Sequence, residues 1–97
     1  MLKRLTSSDD FDKVIEKGIW LVDFYATWCG PCRMLEPVIE EFSKVNDVLQ
    51  VDVDLNQDLA MKFGIMSVPT LIVFKDGIKQ VQDVGYKSIE QLEEMIK

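Results

Sequence analysis

Two cysteines separated by two residues, Cys29 and Cys32, lie between an apolar segment and a segment with helical periodicity. The apolar segment, 19–26, is not interrupted by regular polar positions, which is typical of a strand covered on both faces. In the following segment, 33–45, apolar residues recur three and four positions apart, which indicates a helix. A Cys-x-x-Cys pair at such a junction predicts a dithiol redox site, because the start of the helix favours a thiolate and the spacing allows a disulfide to close.

Length and charge restrict the classes of protein to which the chain can belong. With 97 residues, the sequence predicts one domain, 1–97, which can bury a core without disulfide staples. The net charge of −6 argues against nucleic acid and against anionic membrane surfaces as partners. No apolar segment approaches the ~20 residues that span a bilayer, and the first residues do not resemble a signal peptide. We therefore expect a cytoplasmic protein without a membrane partner. In that compartment a lone cysteine pair is more often catalytic or metal-binding than a stable crosslink.

The chain contains no histidine, which removes several kinds of catalytic and metal site. Neither a Ser-His-Asp triad nor a Cys-His protease site can form. Two cysteines supply half of the ligands of a tetrahedral zinc site, so a zinc or iron–sulfur centre would need carboxylates or a second subunit. We expect no metal and no cofactor.

Periodicity and turn signals predict the element order β-α-β-α-β-α-β-β-α. Segment 48–54 alternates between apolar and polar residues, as a strand does, and Asn56 is placed to cap the short helix that follows. Asp76-Gly77 predicts a two-residue hairpin turn, after which 78–84 is polar enough for an edge strand. A crossover helix early and a hairpin late require a mixed sheet flanked by helices on both faces, which is an α/β fold.

The cysteine motif, its neighbours and this element order resemble the thioredoxin family over essentially the whole chain. Trp28 to Cys32 reads Trp-Cys-Gly-Pro-Cys, and Val68-Pro69-Thr70 follows in the second half. Further positions in the family's order are Asp23, Pro37, Asp54, Asn56, Lys75-Asp76-Gly77 and Gly85. The resemblance implies the thioredoxin fold and a protein-disulfide reductase without a cofactor of its own. It also implies a flavin-containing thioredoxin reductase as electron donor, and we expect the protein to be a monomer.

Each residue of the motif suits dithiol–disulfide exchange. Cys29 is the candidate nucleophile, because the amino end of a helix favours a thiolate and only the thiolate attacks a disulfide. Cys32, one turn further along, is placed to resolve the mixed disulfide. Gly30 allows a substrate backbone to approach, and Pro31 fixes the backbone where the helix begins. The alternative is a passive crosslink or two unrelated thiols, but a crosslink that closes so short a loop constrains the chain very little.

Asp23 is unexpected in an apolar strand. A buried carboxylate without a partner is costly, so we expect its pKa to be raised. The resemblance assigns to Asp23 the role of proton acceptor when Cys32 attacks; the alternative is a satisfied buried carboxyl or a strand-end residue that reaches solvent. Thioredoxins commonly carry a lysine near this aspartate on the next strand, where this chain has Gln50. Without that cation, Asp23 should titrate at a higher pH than in relatives that have the lysine.

The resemblance also predicts how a substrate docks. It implies a cis peptide bond before Pro69, beside a Val68 backbone that pairs with an extended substrate. In other settings a proline at this place simply begins a strand. The predicted docking surface around Cys29 comprises Trp28, Gly30, Pro31, Val68, Pro69, Val84 and Gly85. No functional role is assigned to Met61, Met66 or Met95.

Two other functions remain open beside the reductase. An oxidant or isomerase on the same fold would need an oxidising compartment, and family members of that kind often carry a histidine between the cysteines, where this chain has Gly30 and Pro31. A binding module would use the fold as a docking platform with incidental thiols. Substitution of both cysteines would leave a binding module intact and would inactivate a reductase.

Overall fold

A five-stranded mixed sheet forms the centre of the protein. The computed structural model describes residues 1–97. Its strands are β1 (Leu2–Arg4), β2 (Ile19–Tyr25), β3 (Asp47–Asp52), β4 (Thr70–Lys75) and β5 (Ile78–Val84). They are ordered β1-β3-β2-β4-β5 across the sheet. The first three in this order are parallel, whereas β4 is antiparallel to both β2 and β5.

Four helices cover the two faces of the sheet. They are α1 (Phe11–Val14, preceded by a 3-10 turn at Ser8–Asp10), α2 (Gly30–Phe42), α3 (Gln57–Lys62) and α4 (Ile89–Met95). Side chains of α1 and α3 pack on one face, against Val22, Phe24 and Leu49 among others. Side chains of α2 and α4 pack on the other face, against Leu21, Val48 and Leu71. None of these helices has the length and apolar character needed to cross a membrane.

The predicted element order and the α/β class are confirmed. Both residues of the Asp76-Gly77 turn have positive φ, 50° and 82°, as the predicted hairpin turn requires. Strand β5 lies at the edge of the sheet, as its polar composition predicts. Pro37 lies inside α2.

One predicted helix boundary is wrong, and one predicted cap residue is in place but bonds differently. Helix α2 runs over Gly30–Phe42 instead of 33–45, because Cys29 caps its start and the Asn46 side chain donates to the Phe42 carbonyl at its end, 3.2 Å away. Asn56 stands at the N-cap position of α3 but makes no side-chain capping bond. Its amide donates to the Asp52 carbonyl instead, at 3.0 Å.

The alternation in β3 does not mark a strand with one exposed face. Gln50 and Asp52, on the polar side of the pattern, are both buried, Gln50 to 1% exposure. Strand β3 lies between β1 and β2, and Gln50 reaches polar groups of β1, β2 and α2. A polar side chain in this position must be satisfied by hydrogen bonds, and its partners form part of the site described next.

Candidate active site

The cysteine pair lies at the first turn of α2, immediately after β2. Cys29 is the N-cap residue, and its Sγ accepts a hydrogen bond from the backbone N–H of Cys32 at 3.2 Å. The two cysteines form a disulfide, with their Cα atoms 5.3 Å apart, and both are buried. A sulfur that caps a helix receives an unpaired N–H and the positive end of the helix dipole. The same geometry therefore stabilises a negative charge on Cys29 when the pair is reduced.

The two cysteines border different cavities. Cys29 borders a cavity of about 490 Å³, which we call the Cys29 groove. Cys32 borders a second one of about 390 Å³, which we call the Cys32 cavity. The Cys29 groove is lined mainly by apolar residues, whereas the Cys32 cavity has charged residues in its wall: Arg4, Arg33 and Glu36. The two sulfurs are therefore chemically distinguished by their surroundings.

Four of the residues predicted for docking line the Cys29 groove: Trp28, Gly30, Pro31 and Val68. The Trp28 indole N–H donates to Asp54 Oδ2 at 2.9 Å, which fixes the orientation of the exposed ring. The Val68 carbonyl oxygen lies 3.6 Å from Cys29 Sγ. The Val68–Pro69 peptide bond is cis, as the resemblance implies.

The other three residues predicted for docking do not line the groove. Val84 is half exposed at the end of β5, opposite Thr70 of β4. The Gly85 N–H donates to the Pro69 carbonyl at 2.8 Å. Pro69, Val84 and Gly85 therefore lie beside the groove, and Pro69 connects them to it because it directly follows Val68.

Sequence reasoning missed four residues that line the groove: Val53, Ile65, Met66 and Ser67. Met66 is 94% exposed, at the rim of this groove. Residues 65–67 directly precede the Val-Pro-Thr triplet in the sequence. This proximity to the predicted docking residue Val68 is the signal that could have placed them in the groove. Met66, to which no functional role is assigned from the sequence, therefore forms part of the wall of the Cys29 groove.

Asp23 is buried in the middle of the sheet and does not reach solvent, with 2% exposure. It lies on β2 between Gln50 of β3 and Leu71 of β4. Its Oδ2 accepts from Gln50 Nε2 at 3.3 Å, and its Oδ1 has no hydrogen-bond partner. Burial raises the pKa of Asp23 to about 7, with a smaller contribution in the same direction from the charge of Glu36, while the Gln50 hydrogen bond opposes the rise. The expected direction is confirmed, and the strand-end alternative is wrong.

Gln50 is also bonded to a cation that the sequence analysis did not place near Asp23. Arg4 Nε on β1 donates to Gln50 Oε1 at 3.1 Å. Arg4 Nη2 lies 3.2 Å from Glu36 Oε1 on α2, and Gln50 Nε2 contacts both Glu36 oxygens, at 3.1 and 3.3 Å. The expectation that the pKa of Asp23 is higher than in relatives with the lysine stays a prediction. In this chain Arg4 supplies a cation that contacts Gln50, the hydrogen-bond partner of Asp23.

Comparisons with known proteins agree on one family. The thioredoxin family model matches residues 3–97. Thioredoxin of Staphylococcus epidermidis strain RP62A is 49% identical over 94 residues, which covers 93% of this chain and 90% of that protein. Thioredoxin of Staphylococcus aureus strain Mu50 is 50% identical over 91 residues, covering 90% of this chain and 88% of that protein.

Solved thioredoxin structures have the same fold. A mutant thioredoxin from Halobacterium salinarum NRC-1 superposes with a TM-score of 0.92 at 39% identity, covering 98% of this chain and 87% of that one. Reduced Schistosoma mansoni thioredoxin pre-protein gives a TM-score of 0.90 at 36% identity, with coverage of 98% and 94%. A family model that covers almost the whole chain, together with relatives at about 50% identity, shows that the chain belongs to the thioredoxin family.

Proposed function

We propose that Cys29 attacks the disulfide of a substrate protein and that Cys32 resolves the resulting mixed disulfide. Membership of the thioredoxin family makes the chain a disulfide oxidoreductase. The nucleophilic attack is assigned to the sulfur of Cys29 and the resolving step to the sulfur of Cys32. The observation that carries it is the hydrogen bond from the Cys32 N–H to Cys29 Sγ at the start of α2. Of the two sulfurs, Cys29 alone caps the helix, so it is the one whose thiolate is stabilised before the reaction begins.

The exchange transfers two electrons from the dithiol to the substrate. The Cys29 thiolate attacks one substrate sulfur, the substrate S–S bond breaks, and the other substrate sulfur leaves as a thiolate that takes a proton from water. Cys32 then loses its proton and attacks Cys29 Sγ. The mixed disulfide breaks, the second substrate sulfur leaves and is protonated, and the Cys29–Cys32 bridge remains.

Asp23 is the proposed acceptor for the Cys32 proton. Because the pKa of Asp23 is raised to about 7, its ionised and protonated forms are close in free energy near neutral pH. A base poised in this way can take up and release a proton without a large barrier. The Oδ1 atom, which has no hydrogen-bond partner, can hold the proton without breaking an existing bond.

The proposed substrates are protein disulfides presented on an extended segment. The Cys29 groove offers apolar contacts and, at Val68, a backbone carbonyl 3.6 Å from the Cys29 sulfur. Contacts of this kind recognise backbone and shape rather than one side chain. They support a reductase that accepts many different proteins.

We further propose the setting in which the reaction runs. Residues 1–97 act as one domain and as a monomer in the reducing cytoplasm, where a separate flavin-containing thioredoxin reductase returns electrons to the pair. The apolar surround of the Cys29 groove suits both that donor and the protein substrates. Gly30 and Pro31 between the cysteines favour this function over an oxidant or isomerase.

The redox midpoint of the pair tests the proposed direction of electron flow. We expect a value near the about −270 mV that is characteristic of thioredoxin as a family, measured by thiol trapping after equilibration with graded dithiol/disulfide buffers. A midpoint more oxidising by about 100 mV would make the chain an oxidant or isomerase. A pair that does not cycle at all would leave only a binding module.

Met66→Asp tests the Cys29 groove. We expect kcat/KM for a protein disulfide to fall roughly three- to tenfold, because the carboxylate removes an apolar contact at the rim of the groove. Reduction of a small aromatic disulfide, which does not need the whole groove, should change much less. Met61→Asp is the matched control, since Met61 is also a highly exposed methionine but lies outside the groove. Equal effects of the two substitutions on the protein substrate would contradict docking in the groove.

A further inference from the structure

We propose that Arg4 is a positioning residue for the resolving step, and that through Gln50 and Glu36 it sets how readily Asp23 takes up the proton of Cys32. The inference rests on the role proposed above for Asp23. It goes beyond that role by naming a cation on β1, remote in sequence from the cysteines, as the group that controls it.

The first step is the orientation of the Gln50 amide. Arginine carries only donors, and Arg4 Nε donates to Gln50 Oε1 at 3.1 Å. The amide oxygen therefore faces Arg4, and the NH2 group faces the carboxylates. The opposite orientation would set the NH2 group against a guanidinium and the oxygen against two carboxylates, leaving every one of these contacts unfavourable.

The second step is the division of the Gln50 NH2 group between two carboxylates. It lies 3.3 Å from Asp23 Oδ2, and 3.1 and 3.3 Å from the two oxygens of Glu36. The hydrogen bond to Asp23 lowers the pKa of that carboxyl, whereas the negative charge of Glu36 raises it. Gln50 and Glu36 therefore act on Asp23 in opposite directions.

The third step is that Arg4 influences both of them. Besides holding Gln50, it forms an ion pair with Glu36 at 3.2 Å. Parallel pairing of β1 with β3 sets Arg4 directly beside Gln50, so the arginine is held near this network by the sheet. Both contacts favour the ionised form of Asp23, since one orients a donor toward it and the other offsets the charge of Glu36.

The remaining surroundings of Asp23 contain few competing charges. Its neighbour on β4 is Leu71, which is apolar, and its neighbour on β3 is the Gln50 amide. Glu36 is the charged group of α2 that acts on it. Tyr25, further along β2, also interacts with Asp23, and burial raises the pKa of this phenol from its ordinary value, so it is neutral throughout the relevant range. The Cys32 thiol is the proton donor itself.

Arg4→Met tests the inference. We expect the pKa of Asp23, followed by carbon-13 NMR of its carboxyl in the reduced full-length protein, to rise by roughly 0.5 or more. The pH midpoint of mixed-disulfide resolution should move upward by the same amount, because more of Asp23 is then protonated at a given pH. Glu36→Gln should move both quantities downward, and Arg4→Lys should restore most of the original values.

Lys3→Met is the matched control, since it removes the same charge from the same strand and the contacts with Gln50 and Glu36 belong to Arg4 and not to Lys3. If Arg4→Met leaves the pKa of Asp23 unchanged, or moves it no further than Lys3→Met does, the role of Arg4 is overturned while that of Asp23 stands. If the pKa of Asp23 moves and the pH midpoint of resolution does not follow, Asp23 is not the proton acceptor, and both proposals fall. Arg4 is 66% exposed, so its substitution should not unfold the protein, and the downward shift in Glu36→Gln tests the network independently.

Discussion

Cys32→Ser is expected to abolish turnover and to leave Cys29 joined to its substrate in a stable mixed disulfide. A hydroxyl does not attack a disulfide as a thiolate does, so the first step proceeds and the second stops. We expect turnover to fall by roughly 100-fold or more. Non-reducing electrophoresis and intact mass should show the protein and the substrate as one covalent species that a small dithiol releases.

The converse variant serves as the control. Cys29→Ser should be equally inactive but should form no mixed disulfide, because the Cys32 sulfur does not cap the helix and Cys32 does not line the Cys29 groove in which the substrate docks. A stable mixed disulfide through Cys32 in this variant would show that the two roles are reversed. Biological function retained by a variant without both cysteines would instead identify a binding module.

Asp23→Asn is expected to stabilise the protein, and increasingly so as the pH rises. The folded state raises the pKa of Asp23 from 3.8 to about 7, so between these values the folded protein holds a proton that the unfolded chain has lost. The stability associated with this proton is complete below pH 4 and is lost as the pH rises through 7. At one pKa unit per about 1.4 kcal/mol, the shift from 3.8 to about 7 amounts to roughly 4 kcal/mol well above pH 7.

Urea unfolding of the oxidised protein at pH 4, 6 and 8.5 measures this effect. The free energy of unfolding of Asp23→Asn should exceed that of the parent by a margin that grows with pH and levels off above 7. Asp12→Asn, which removes an exposed carboxylate from α1, should show no such trend. A margin independent of pH would mean that Asp23 has an ordinary pKa in the folded protein.

The same substitution should slow the resolving step. Asparagine has nearly the shape of aspartate but cannot accept the Cys32 proton, so the mixed disulfide should decay roughly tenfold or more slowly near pH 7. Decay of a purified mixed disulfide, followed by quenching and mass analysis, gives this rate directly. A variant that is more stable and resolves as fast as the parent would remove Asp23 from the reaction.

Features that depend on neighbouring residues were predicted well from the chain. The redox pair, the start of a helix beside it, the hairpin at Asp76-Gly77 and the edge position of β5 follow from local signals. The cap at Cys29 and the proline at Pro31 lie within the turn that they stabilise. The docking surface was predicted only in part, because Met66 and its neighbours enter the Cys29 groove from a loop whose path depends on the whole fold.

The chemistry of this protein can be predicted from its residues alone: two thiols in one turn of a helix, a carboxylate in an apolar strand, and a family whose members exchange disulfides. How that carboxylate is controlled depends on contacts that form only in the folded protein. Arg4, Gln50 and Glu36 come from β1, β3 and α2, and the hydrogen bond from Arg4 to Gln50 joins residues 46 positions apart. No local pattern marks such a network, because it exists only where parallel strand pairing and a covering helix bring three distant segments together. For the same reason Gln50, which alternation assigns to a polar face, is buried and bonded at the centre of the fold.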